Sequence, residues 1–415
     1  MVIIKLLVVI ALLMVLLTKK VNMALSLLIS SVALLLINGR GPSAFAGAVA
    51  QTFTESATYT LALTILFIGI LGYLMNTYGM LDRMVESLER LVRSAKVTIM
   101  LAPTLIGLLL VTGGALMSCP IVDTLGQRLG LPNEKRAAIN MIFRHGLYFA
   151  YPLSTTIIFA AQLGGFGVMD MIKIQFPVTI VMYILGYIFF LRGVADVKAP
   201  KLSPREFGAS LGSFLLNSSP IIISIAVAAF GVPFEWAMPF GIAACVIINL
   251  VTSQKSLKGK KAQNPFVLIF KGINWQMLLI IAGIMLFKNS IGQVPEINEF
   301  IVYLVGRGVP MEIVILVTCV LVTFPTGNMQ PSFAVVFPFI LPLNPSLGQL
   351  LLYSYVLYGL GFLAYYTSPL HMCQVLSVDY FKTTVSSLMR QYRVILPLII
   401  AFQIAWYFVL RAILL

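Results

Sequence analysis

The sequence predicts an all-α polytopic membrane protein: about ten transmembrane helices, two re-entrant helical hairpins, and an inverted-topology repeat with two broken helices. Three observations carry that prediction. Hydrophobic residues make up 60% of the 415-residue chain and charged residues 10%, with a mean hydropathy of +0.99, whereas a soluble domain carries roughly 25% charged residues. Many apolar stretches are long enough to cross a hydrocarbon core about 30 Å thick. Finally, one pattern of small, polar and proline residues occurs twice. Val111-Thr112, Ser118-Cys119-Pro120 and Phe149-Ala150-Tyr151-Pro152-Leu153-Ser154 answer to Val322-Thr323, Met329-Gln330-Pro331 and Leu363-Ala364-Tyr365-Tyr366-Thr367-Ser368-Pro369, at offsets of 211 to 214 residues. Interruptions at corresponding places in two hydrophobic halves point to the binding site of a secondary transporter.

Ten crossings are read at 2–18, 22–38, 57–77, 134–162, 169–191, 206–230, 235–252, 273–291, 346–380 and 390–413. Residues 1–50 read as a peripheral helical pair, 51–200 as the first repeat, 201–265 as connecting scaffold helices and 266–415 as the second, inverted repeat. Stretches 98–130 and 310–343 are divided by Gly113-Gly114 through Pro120 and by Pro325 through Pro331. That leaves arms of about 10 to 14 residues, a length that suits re-entrant rather than spanning segments. Helix 134–162 is expected to break at Tyr151-Pro152 and helix 346–380 at Thr367-Ser368-Pro369, because proline lacks a backbone donor and clashes with the preceding turn. Segments 79–97 and 294–307 read as interfacial; the first is basic and amphipathic, and the second carries Glu296 and Glu299.

The net charge of +14 is a topology signal here, since the basic residues sit in short loops beside apolar spans. With the 18–21 loop placed in the cytoplasm, 21 of the 28 Lys and Arg residues fall on the inside and both termini on the outside. Five crossings then separate the starts of the two copies, so the second is inverted. The expected location is the cytoplasmic membrane. Four cysteines without CxxC spacing, Cys119, Cys245, Cys319 and Cys373, suggest neither a disulfide framework nor a zinc site and read as small packing residues. HExxH and Walker A motifs are absent, so neither an enzyme nor a bound cofactor or transition metal is expected, and no nucleic-acid partner.

Prolines near helix starts suggest four half-helix N-termini converging at the midplane, after Pro120, Pro331, Pro152 and Pro369. Unpaired amides there would favour an anion. Ser118, Ser154, Thr155, Asn328, Thr367 and Ser368 are the candidate substrate contacts, with His371 directly after the second break and Arg144 as a partner for a substrate carboxylate or for Asp123. Backbone or side-chain oxygens of Gly113, Gly114, Pro152, Thr326, Gly327 and Asn328 are candidate cation ligands, Na⁺ being the favoured coupling ion. Asp123 and His145 are the proton-coupling candidates. For one isolated interruption, helix packing by small residues would be the simpler reading; four in two matched pairs favour a site.

Two inverted repeats, each with a hairpin and a broken helix, resemble the ion transporter superfamily of divalent anion/sodium symporters, citrate transporters and arsenite antiporters. Nearest of all is the likeness to a prokaryotic branch of predicted integral membrane proteins within it. The tips Ala115-Leu116-Met117-Ser118 and Thr326-Gly327-Asn328-Met329 depart from the Ser-Asn-Thr of the dicarboxylate carriers, most of all in the first tip, which lacks the asparagine. The resemblance implies a homodimer, with a scaffold part and a transport part that moves against it. The expected function is secondary active transport of a small anionic solute, coupled to a sodium or proton gradient. A cation/proton or export antiporter is the alternative within the class, and a passive ion channel the alternative outside it.

Overall fold

The computed structural model describes residues 2–108, 114–198, 200–253 and 264–415. Among them the chain is helical throughout, without a strand, and seven helices are long and apolar enough to cross a membrane. It is a multi-pass, all-helical membrane protein.

The first half runs α1 (Val2–Thr18), α2 (Met23–Ile37), α3 (Pro42–Thr54), α4 (Ser56–Thr77) and α5 (Met80–Val92). The hairpin arms α6 (Ala95–Gly107) and α7 (Gly114–Arg128) follow, then the half-helices α8 (Asn133–Arg144) and α9 (Thr155–Gly164), then α10 (Val168–Gly186), which a π turn extends to Leu191. Two long helices, α11 (Pro204–Ala229) and α12 (Phe234–Ser253), come next. The second half repeats the order: α13 (Pro265–Lys271), α14 (Trp275–Gly292), α15 (Pro295–Gly306), hairpin arms α16 (Met311–Thr326) and α17 (Gln330–Ile340), half-helices α18 (Leu347–Thr367) and α19 (Met372–Tyr380), then α20 (Val385–Tyr392) and α21 (Ile395–Leu414).

Local chemistry sets the starts. Ser203 with Glu206 and Ser346 with Gln349 close capping boxes on α11 and α18, and the Asn274 side chain caps α14. Each gives the first turn acceptors for amides that have no partner inside the helix. On α5, Leu81, Met84, Val85 and Leu88 are buried while Asp82, Arg83 and Arg90 stay in the open, as an interfacial helix requires.

Three boundaries differ from the expectation. The first broken helix opens at His145, not at Tyr151-Pro152: α8 ends at Arg144 and a 3₁₀ turn covers Gly146–Phe149. The Pro152 ring excludes a helical conformation upstream, and the chain relaxes over several residues rather than at one. Hairpin arm α7 begins at Gly114 and carries Pro120 in its interior, so that proline does not start the half-helix. Arm α16 runs 16 residues through Pro325 to Thr326, with Gly327 as its cap. The short helices α3, α13 and α20 were not anticipated, because they are too short or too polar to register as apolar spans.

Packing is reciprocal between the halves. Helix α2 lies along α14 while α12 lies along α4; α7 touches α19 while α17 touches α9. Surface bonds group the segments in the same way. Arg40 pairs with Glu296 at 2.6 Å, and Arg83 Nε donates to Asn217 Oδ1 at 3.0 Å. Asp196 accepts from Ser94 Oγ at 2.7 Å and from the Lys96 amide at 3.1 Å.

Candidate functional site

At the first break, Ser154 is the residue before α9 and its side chain does not cap the helix. The first backbone bond of α9 runs from Ile158 N to Ser154 O, so the amides of Thr155, Thr156 and Ile157 have no intrahelical partner. Such an end carries about half a positive charge and accommodates anions. Arg144, Ser154 and Thr155 line a common pocket with Gly107, Leu108, Leu147, Tyr148 and Tyr151, and Arg144 carries the one formal charge among these lining residues. Gly107 lets α6 approach closely, since a Cβ there would lie 2.4 Å from the Arg144 carbonyl oxygen. The pocket volume is about 20 Å³, room for roughly one water; a larger solute would require the surrounding elements to separate.

The second hairpin reaches both breaks. Gln330, at the start of α17, approaches Thr155 with Nε2 3.5 Å from Oγ1. At the tip, Gly327 adopts φ +59°, and a Cβ on it would lie 2.8 Å from the Leu370 carbonyl carbon and oxygen. Thr326 Oγ1 donates within the tip, toward the Thr323 and Asn328 carbonyls at 3.2 and 3.1 Å, and the Asn328 carboxamide accepts from Gln330 N at 3.2 Å. Ser368 Oγ donates to the Phe324 carbonyl at 2.6 Å and accepts from Leu370 N at 3.1 Å. Thr367 Oγ1 donates back to Leu363 O at 2.7 Å. These bonds satisfy backbone groups that a helix break leaves without water at membrane depth. Tyr358 serves the same end at the first break, its hydroxyl donating to the Tyr148 carbonyl at 2.5 Å.

The remaining expected residues fall in two places. Ser118 is buried on α7, beside the Cys119 thiol that Asn140 Nδ2 approaches at 3.3 Å; the same amide donates to Ser377 Oγ at 2.9 Å. Asp123 pairs with Arg136, not with Arg144, and also accepts from Gln127. The reason is register: Asp123 lies nine residues into α7, beside the N-terminal turn of α8, whereas Arg144 ends that helix. Gly114 opens α7, Pro152 lies in the turn before α9, and Gly113 lies outside the described residues. His145 and His371 meet face to edge, with ring centroids 4.9 Å apart.

Against this geometry, a family model described as "Protein of unknown function (DUF401)" matches residues 1–411. The chain belongs to the DUF401 family. A search of curated proteins returns no match. Among solved structures, the DUF401 chain is similar to that of the YdaH transporter of Alcanivorax borkumensis, described as having an unusual topology. The TM-score is 0.57 at 14% identity, over 87% of this chain and 86% of that one. The likeness concerns the fold.

Sequence reasoning passed over Gln330, Tyr148, Tyr151 and Asn140. Gln330 had a visible signal, as the one strongly polar side chain in the Met329-Gln330-Pro331 string. Tyr151 was flagged only as the place of the helix break, and Tyr148 had no signal, since a tyrosine in an apolar helix reads equally well as packing.

Proposed function

We propose that this DUF401 protein is a secondary active transporter of a small anionic solute, working by alternating access. One observation carries the reading. Arg144 lines one pocket at a helix break together with Ser154 and Thr155, where the first amides of α9 have no intrahelical partner, and a hairpin from the other half reaches the same break through Gln330. A buried cation beside unpaired helix amides favours an anion over a cation or a neutral solute. The likeness to the fold of a known transporter supports the same class, as does the resemblance to the ion transporter superfamily.

In this reading the two hairpins and two broken helices move together against a scaffold of α1, α2, α4, α11, α12 and α14, which would also form a homodimer in the cytoplasmic membrane. Sodium is the favoured coupling ion, with the Thr326-Gly327-Asn328 tip as its candidate locus. Uptake of radiolabelled organic anions into proteoliposomes, with and without an imposed sodium gradient, tests the proposal. Gradient-dependent uptake that Arg144→Gln abolishes is expected. No gradient-dependent flux across a broad anion panel would overturn it.

A further inference from the structure

The chain has two histidines, 226 residues apart in sequence, and the fold brings them together with a cysteine. His145 comes from the first break and His371 from the second; one donor atom from each of His145, His371 and Cys373 lies within 4.8 Å of the others. His371 is fully buried, and neither ring nitrogen makes a hydrogen bond of proper geometry. A buried polar group left without a partner is costly, so its place calls for a ligand. We infer that His145, His371 and Cys373 form a binding site for a soft d¹⁰ transition-metal ion, of the Cu⁺ or Zn²⁺ class.

Several features of the site argue for this. Two imidazoles and one thiolate are the donors that select copper and zinc over magnesium, calcium or sodium. His145 Nδ1 lies 2.8 Å from the Met141 carbonyl oxygen and donates its proton there, which leaves the Nε2 lone pair free. A backbone carbonyl holding the non-ligating nitrogen is the usual arrangement for a metal-bound histidine. The Tyr366 carbonyl lies on the His371 side without forming an aligned bond, and a small ring rotation would give His371 the same support. Bond lengths of about 2.0 to 2.3 Å put tetrahedral donors roughly 3.3 to 3.8 Å apart, so closure by roughly 1 Å completes the site. Cys373 is half-buried and gives an ion a way in. Tyr365 lies against His371 with centroids 3.9 Å apart and the rings tilted by 38°, and Tyr366 borders both histidine rings, forming an aromatic wall.

The inference stands apart from the transport reading, because binding is measured on the full chain in detergent without any flux. Cobalt(II) serves as the optical probe. One equivalent should produce tetrahedral d–d bands and a thiolate-to-cobalt charge-transfer band, with Zn²⁺ or Cu⁺ displacing it. Cys373→Ser should remove the charge-transfer band, and His371→Gln should weaken cobalt binding roughly tenfold or more. A Cys119→Ser/Cys245→Ser/Cys319→Ser variant should keep the full spectrum. Zinc should raise the thermal midpoint of the wild type and not of Cys373→Ser. Because serine differs from cysteine by one atom at a half-buried position, Cys373→Ser decides the question even if His371→Gln fails to fold. The inference is overturned if no stoichiometric cobalt spectrum appears, or if the spectrum survives unchanged in Cys373→Ser.

Discussion

The two breaks derive from one repeated string and are put to different uses. At the second, the Ser368 hydroxyl is committed to the Phe324 carbonyl and the Gly327 turn is pressed against Leu370. The tip of its own hairpin seals that break. At the first, Ser154 leaves its helix uncapped, and the opening faces a pocket lined by Arg144. The same Ser-containing interruption is therefore a fastening in one half and, in the proposed function, a recognition surface in the other. The two breaks match in sequence pattern, and Arg144 beside the first makes it chemically distinct.

The largest expected effect tests the recognition side. Arg144→Gln should lower anion uptake in proteoliposomes by about 100-fold, the equivalent of about 3 kcal/mol for two charge-assisted hydrogen bonds, with Arg144→Lys retaining part of the flux. Equal flux in Arg144→Gln would show that the first break is not the distinct one. Next comes the fastening side. Gly327→Ala must hold φ +59° and fit a Cβ against the Leu370 backbone, a combined cost of about 2 to 3 kcal/mol read from thermal unfolding in detergent. Gly165→Ala is the control, with φ +69° and nothing within 4 Å; it should cost about 1 kcal/mol, and equal losses in the two variants would dismiss the tip contact.

The paired serines sharpen the contrast. Ser368→Ala leaves the Phe324 carbonyl unpaired and should cost about 1 to 3 kcal/mol of stability. Ser154→Ala should leave the unfolding midpoint nearly unchanged while reducing substrate affinity by roughly two- to tenfold. Reversal of those two outcomes would exchange the roles of the breaks.

The smallest effect lies outside both, where Asp196 ties the loop after α10 to the start of α6. Partial burial acts to raise its carboxyl pKa, but hydrogen bonds from the Ser94 hydroxyl and the Lys96 amide, together with the charges of Lys96 and Lys198, outweigh it and hold the group below the ordinary 3.8. A depressed pKa in the folded state stabilises above the unfolded value and loses that contribution as pH falls through the folded one. Wild type should therefore exceed Asp196→Asn slightly in unfolding midpoint near neutral pH, with the gap closing under acid. A gap that widens on acidification would contradict the assignment.

Much of the architecture was legible along the chain because a bilayer punishes irregular backbone so heavily that breaks must announce themselves with glycine, proline and hydroxyl residues. Both interruptions of the second half, at Gly327 and at Thr367-Ser368, lie within the motif that predicted them. The first broken helix was less legible. Pro152 marks the strain, but the chain already leaves the helix at His145, and which upstream residue yields depends on Gly146 packing under Tyr183 and on Thr104 bonding to the Phe143 carbonyl at 2.8 Å. Arg144 illustrates the same limit: the sequence flags a charge inside a span, yet its position at the rim of the pocket follows from where α8 stops.

By itself, the sequence determined a helical, multi-pass membrane protein with matched interruptions, because hydrophobic length, proline chemistry and loop charge act locally and can be counted along the chain. Only the tertiary structure decided what those interruptions meet. The pairing of Asp123 with Arg136, the contact of Gln330 with Thr155, and the approach of His145 to His371 and Cys373 join residues through helix register and packing. Those depend on three-dimensional close approach, which no one-dimensional pattern encodes.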